Sequence, residues 1–178
     1  DGTTDKKYKF DGAFYSKMSM NIDGGTLGTG RLNITADNEG LDSELHLTIN
    51  GGIIHINSAD DGINTNEDGV SVTTINGGYL YIFAGNGAEG DGIDSNGWIV
   101  INDGTVISLA NPNSMDGGID SDMGTYINGG TVVGAGGMYD KIENDSEQLF
   151  VFMQFAEDTD DTIVVTDEND NPVFAYDF

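Results

Sequence analysis

Ile75-Asn76-Gly77-Gly78-Tyr79-Leu80-Tyr81-Ile82-Phe83 is the stretch that decides the fold. A polar, glycine-rich turn leads into residues in which every second side chain, Leu80 and then Ile82, is aliphatic. That alternation marks a strand with one face turned to a core, and paired glycines supply the positive φ angles of a tight turn. The turn phrase returns as Ile22-Asp23-Gly24-Gly25, Ile49-Asn50-Gly51-Gly52, Ile101-Asn102-Asp103-Gly104 and Ile127-Asn128-Gly129-Gly130, with isoleucines 27, 26, 26 and 26 residues apart. Five residues after each later isoleucine stand Ile54, Leu80, Val106 and Val132; two further on stand Ile56, Ile82, Ser108 and Gly134.

A second phrase is interleaved with the first: Gly40-Leu41-Asp42-Ser43, Gly62-Ile63-Asn64-Thr65, Gly92-Ile93-Asp94-Ser95 and Gly118-Ile119-Asp120-Ser121. Each repeating unit therefore turns at least twice. Short strands at fixed period, with small or apolar residues in register, predict an all-β, right-handed parallel β-helix of about five coils. Asn50, Asn76, Asn102 and Asn128 then form a column whose amides can bond one another from coil to coil. Residues 1–21 read as an N-terminal leader or cap, 22–138 as the repeats, and 139–178 as a C-terminal strand and hairpin cap. Within that last segment the expected strands are Leu149–Phe155, Thr162–Thr166 and Val173–Phe178.

The 178 residues carry 31 Asp and Glu against 6 Lys and Arg, a formal charge of −25. Nucleic acid is excluded as a partner, because binding phosphate requires basic residues that displace its counterions. Membrane insertion is not expected either, since the longest apolar runs fall far short of a span. Without cysteine there is neither a disulfide framework nor a thiolate metal site. The chain opens at Asp1 rather than Met, so any export signal is expected either to have been removed or never to have been part of this sequence.

The acids fall in columns. If the isoleucine of each Gly-Ile-Asp phrase points inward, Asp42 and Glu44, Asn64 and Asn66, Asp94 and Asn96, and Asp120 and Asp122 point outward together. Glu39, Asp60, Asp61, Glu89, Asp91 and Asp116 precede the glycines. Two carboxylates about 5 Å apart repel by roughly 3 kcal/mol at an effective dielectric of 20. A hard divalent cation removes that repulsion, and oxygen-only ligands select calcium. The central ligands are expected to be Asp91, Asp94 and Asp120, with Asp61, Asn64, Asp116 and Asp122 beside them and Glu39 and Asp42 further along. The alternative is a row of solvated turn acids chosen for their backbone preferences.

The phrases Asn38-Glu39-Gly40-Leu41-Asp42, Asp60-Asp61-Gly62-Ile63-Asn64 and Gly90-Asp91-Gly92-Ile93-Asp94, with the repeated Ile-Asn-Gly-Gly, resemble the parallel β-helix carbohydrate-binding domain family of secreted clostridial and gut-bacterial proteins. The resemblance covers roughly residues 14–137 and the hairpin near 162–176. It implies a pectate-lyase-like fold, bound calcium, affinity for cellulose and acidic sugars, no known catalysis, and a secreted or cell-surface setting. The chain has fewer amino-terminal coils than the longer members and stops where many continue.

A lyase of this fold would need a basic residue beside its calcium. The only arginine is Arg31, and no lysine lies between Lys17 and Lys141, so coils two to five offer none and a non-catalytic role is expected. Polysaccharide is the expected partner, with Trp98 and Tyr126 as its stacking surface. The outward columns His55, Tyr81, Ile107, Val133 and Asn57, Phe83, Leu109, Ala135 form an apolar exterior that must be covered or used. Leu149–Phe155 is the expected cover. Self-association through that face, or through coil ends between the basic Lys6–Lys9 leader and the acids Glu143, Asp145, Glu147, Glu157, Asp158, Asp160 and Asp161, gives a filament- or matrix-forming protein as the alternative. Far-ultraviolet circular dichroism is expected to show a β-dominated spectrum; helical minima would contradict the reading.

Overall fold

The computed structural model describes residues 11–25, 27–87, 89–156 and 162–177. Their regular elements are all strands, and among these residues no helix is long and apolar enough to cross a membrane. The first coil holds β1 (Phe14–Ser16), β2 (Ser19–Ile22) and β3 (Arg31–Ala36); the second holds β4 (Leu41–Ser43), β5 (His46–Ile49) and β6 (Ile53–Ser58). The third coil holds β7 (Ile63–Thr65), β8 (Val72–Ile75) and β9 (Tyr79–Phe83). The fourth holds β10 (Ile93–Ser95), β11 (Trp98–Ile101) and β12 (Thr105–Leu109). The fifth holds β13 (Ile119–Ser121), β14 (Gly124–Ile127) and β15 (Thr131–Ala135).

Corresponding strands stack into three five-stranded sheets: A from β1, β4, β7, β10 and β13, B from β2, β5, β8, β11 and β14, and C from β3, β6, β9, β12 and β15. Every stacked pair is parallel. The result is the parallel β-solenoid of five coils that the repeats predict. The phrase isoleucines close the sheet B strands, so counting coils from Ile22 begins two strands late; residues 14–22 already belong to the first coil. Lys6, Lys7 and Lys9 lie outside the described residues, as do Glu157, Asp158, Asp160, Asp161 and Phe178.

Register makes like meet like. Ile49, Ile75 and Ile101 stack in one buried column, and Ile54, Leu80 and Val106 in another. Each such side chain contributes about 1.5–3 kcal/mol of hydrophobic stabilisation. A small hydroxyl column of Ser43, Thr65, Ser95 and Ser121 fills the corner between sheets A and B. Its buried oxygens are paired there: Thr65 Oγ1 donates to Ser95 Oγ at 2.7 Å, and Ser121 Oγ lies 2.9 Å from Thr125 Oγ1.

Two devices hold the turn between sheets B and C. The asparagine column is a hydrogen-bonded ladder: Asn128 Nδ2 donates to Asn102 Oδ1, Asn102 to Asn76, and Asn76 to Asn50, all at 2.8–2.9 Å. Asn50 Nδ2 ends it on Asp23 Oδ1 at 2.9 Å, so the aspartate of the first phrase supplies the terminal acceptor. The last glycine of each phrase takes positive φ, 106° at Gly52, 101° at Gly78 and 105° at Gly104. A Cβ at Gly78 would also stand 2.9 Å from the carbonyl oxygen of Gly52 one coil below.

Beyond the fifth coil, β16 (Thr162–Thr166) and β17 (Pro172–Asp177) form an antiparallel hairpin. Asp167 Oδ1 shapes its turn by accepting from the backbone N–H groups of Asn169 and Asn171. Leu149–Phe155, expected as a strand, forms none. Gln148 anchors to Ile127 and Gly130 of the last coil, but the apolar run after it finds no partner strand and stays exposed. The hairpin instead approaches sheet C at one point, where Tyr176 interacts with Tyr81 and Tyr79.

Gly78→Ala is expected to cost about 1–3 kcal/mol through positive φ and the carbonyl clash, lowering Tm by roughly 2–10 °C. Thermal melting checks this; an unchanged Tm would contradict the stacked-turn account.

Candidate functional site

The acid ridge runs along sheet A. Leu41, Ile63, Ile93 and Ile119 point into the core, which turns the next residue outward in every coil. Asp94 and Asp120 are therefore register partners on β10 and β13. The chain enters β10 through Asp91, and the structure brings Asp91, Asp94 and Asp120 together: one oxygen of each lies within 4.8 Å of the others. These are the three residues expected at the centre. All three are half-buried.

Backbone hydrogen bonds fix the approach. Asp61 Oδ1 accepts from the Asp91 N–H at 2.7 Å, and Asp91 Oδ1 accepts from the Gly117 N–H. Asp116 Oδ2 accepts from the Gly90 N–H at 2.9 Å. Each carboxylate thus clamps a neighbouring coil with one oxygen. Asp122 is exposed at the rim, where its charge acts on Asp94 and Asp120. Asp140, which no repeat motif marks, also belongs here: it accepts from the Ser121 N–H at 3.2 Å, and its charge bears on Asp120.

Among the described residues no basic side chain pairs with these carboxylates. The one ion pair among the described residues, Lys141 with Glu143, does not involve the trio. Burial, aggravated by the neighbouring aspartates, raises the Asp61 carboxyl to about 8 and the Asp91 and Asp94 carboxyls to about 7. Asp120 is raised by burial and by Asp140.

Glu39, Asp42 and Asn64 form a separate group towards the start of the rod. Asp42 and Glu39 were expected on the open edge, yet they are only 3% and 9% exposed. The segment entering β1 passes over them, with the Ala13 N–H bonded to the Glu39 carbonyl. Asn64 Nδ2 donates to Glu39 Oε1 at 2.9 Å, so Asn64 serves this group rather than the trio. Asn66 Nδ2 donates to Asp42 Oδ1 at 2.7 Å. Burial and the Asp42 charge raise Glu39 to about 7. Glu39 Oε2 and Asn64 Oδ1 are buried acceptors with no hydrogen-bond partner among the described residues, a deficit that a proton on Glu39 or a hard cation would fill.

Trp98 and Tyr126 both lie half-buried on the outer face of sheet B. Trp98 pairs with Gly124 and Val100 with Tyr126, so the two rings sit diagonally on adjacent coils. Arg31 opens β3 on sheet C, not on the acid-bearing sheet A.

Oxygen ligands of this kind suit a hard cation, and raised carboxyls have a consequence without one. Asp61, Asp91 and Asp94 hold their protons more tightly folded than unfolded, so unfolding releases protons. In a chelator, Tm is therefore expected to fall as pH rises from about 4 to about 8, opposite to the usual effect of salt-bridged acids. A Tm that rises over that window would contradict the burial of uncompensated aspartates.

Comparison with known proteins agrees with this solenoid. A family model described as carbohydrate-binding domain-containing protein matches residues 1–170. No curated protein and no solved structure matches the chain. With nearly its whole length covered, the chain belongs to this carbohydrate-binding domain family.

Proposed function

We propose that this chain is a non-catalytic, calcium-dependent polysaccharide-binding module acting outside the cell, on plant cell-wall or acidic polysaccharide. The observation that carries the calcium dependence is the convergence of Asp91, Asp94 and Asp120 within 4.8 Å. Calcium accepts six to eight oxygen ligands, so backbone carbonyls and water would complete the shell. Such an ion joins the fourth and fifth coils and relieves their repulsion. Its open coordination positions can take a uronate carboxylate, which the bare ridge repels. Trp98 and Tyr126, on the adjoining face, offer rings against which a sugar can stack.

Support for a non-catalytic role comes from the family and from the placement of Arg31, which leaves the ridge without a guanidinium base. A second reading, a filament- or matrix-forming β-helix, draws on the exposed run Leu149–Phe155. Light scattering during a calcium titration separates the two: particles that grow support assembly, and a constant size supports the module.

Calcium at about 100 times its Kd is expected to add about 2.7 kcal/mol, or roughly 5–10 °C of Tm. Asp94→Asn should melt higher than the parent in chelator, because a like charge has gone, yet gain nothing from calcium. Retention on polygalacturonate should vanish in chelator and in Asp94→Asn. A parent Tm and retention indifferent to calcium would overturn the proposal.

A further inference from the structure

The segment after coil five begins a sixth coil and stops before its third strand. Met138 bridges to Gly117 at the entrance to sheet A, and Ile142 bridges to Thr125 of sheet B, both in the parallel sense. The N–H of Gln148 then donates to the carbonyl of Ile127 one coil below, as Asn128 donates to Ile101 and Asn102 to Ile75. Gln148 therefore stands in the register of the asparagine column, and Leu149, Phe150 and Val151 fall where Gly129, Gly130 and Thr131 stand. At the sheet C position no strand follows. β15 closes its sheet, and among the described residues no strand pairs with its outer edge.

Phe150 explains the stop. Gly104 and Gly130 take positive φ to turn from sheet B into sheet C, and a Cβ there would stand 2.9 or 2.5 Å from the carbonyl oxygen one coil below. A phenylalanine in the equivalent place carries the very Cβ that this turn excludes. The chain's own run is thereby kept from turning onto its own β15. It is held instead at Gln148 and by Phe152, whose ring centroid lies 4.2 Å from that of Tyr139.

Yet the run has the composition of a strand buried on both faces. Six of the seven residues Leu149–Phe155 are large and apolar, Gln154 being the exception, and continuous runs of this kind belong to parallel sheets covered on both sides. The edge of β15 offers that setting. Val132 continues the core on its inner face, while Val133 and Ala135 continue the apolar exterior of Ile107 and Leu109. Leu149 is 96% exposed and Val151 70%. An open strand edge and an exposed strand-like run are each a liability, and each supplies what the other lacks.

We propose that two copies of this chain meet at this end and exchange these runs, Val151–Phe155 of each adding as a strand to the free edge of the other's β15. A strand supplied by a second copy needs no turn through Phe150. Edge and run lie at the same end of the rod, so two copies satisfy both at once, and the contact closes as a two-fold dimer instead of propagating into a filament. The dimer forms whether or not the acid ridge holds calcium and whether or not a polysaccharide is bound. Glu143, Asp145 and Glu147 lie in the capping segment of this end, so the two ends repel and salt that screens them favours the dimer.

Sedimentation velocity of the full chain in chelator, across protein and salt concentration, tests the exchange. The expected species is a dimer, strengthened by salt, with no larger particles. Met153→Pro takes a backbone donor out of the exposed run and should weaken dimerisation about tenfold or more with Tm unaltered. The chain has no cysteine, so the pairing can be trapped directly. Val133 and Met153 are the central residues of edge and run, and they oppose one another whichever way the added strand points. An equimolar mixture of the Val133→Cys and Met153→Cys variants should therefore oxidise to a disulfide-linked heterodimer that reduction releases. A monomer at every concentration, growth beyond the dimer, a dimer indifferent to Met153→Pro, or a mixture that yields no linked heterodimer overturns the proposal. So does an internal disulfide in the double variant Val133→Cys/Met153→Cys, which would place each run on its own β15.

Discussion

Parallel stacking in register is the constraint on which the rest of this molecule depends. Each residue of a coil meets its counterpart on the next at strand spacing, about 4.8 Å, so a favourable choice is multiplied along the rod and so is an unfavourable one. Isoleucine on isoleucine builds a dry core. Asparagine on asparagine builds a ladder, because an amide carries both a donor and an acceptor and can satisfy the amide above and below. That ladder must end on a pure acceptor or an unused donor, and Asp23 provides the acceptor.

Aspartate on aspartate has no such complementarity. Two carboxylates are both acceptors and both negative, and at the separation of Asp91, Asp94 and Asp120 each pair repels by about 3 kcal/mol at intermediate dielectric. One oxygen of Asp91 finds relief in a backbone N–H of the next coil, which also locks the coils together. The remaining charge is what a metal ion held among the three could offset. The same logic separates the faces of the rod: acids gather on sheet A and at turns, whereas the outward positions of sheet C carry rings, amides and aliphatic groups.

The repeat was legible because its physics is periodic. Ile49, Ile75, Ile101 and Ile127 fix the register, and that register alone brings Asp94 beside Asp120. What the sequence hid was aperiodic. Three-residue strands such as Leu41–Ser43 are too short to show alternation, so the Gly-Ile-Asp-Ser phrase marked a second turn in each unit but not the sheet A strand that it forms. The burial of Glu39 and Asp42 depends on a lead-in segment that resembles no repeat, and Asn64 turns to Glu39 because that buried carboxyl offers an acceptor. Asp140 reaches the ridge from beyond the last coil. Leu149–Phe155 has strand composition, but a strand also requires a neighbour, and composition cannot supply one.

The aspartate trio could hold a metal ion, and calcium is the ion proposed for it. Crystals grown with calcium, measured at a wavelength where calcium scatters anomalously, test it most directly. The expected result is an anomalous peak bonded to oxygens of Asp91, Asp94 and Asp120 at about 2.3–2.6 Å, with oxygen ligands throughout. A map with no peak between these three residues at saturating calcium would contradict it.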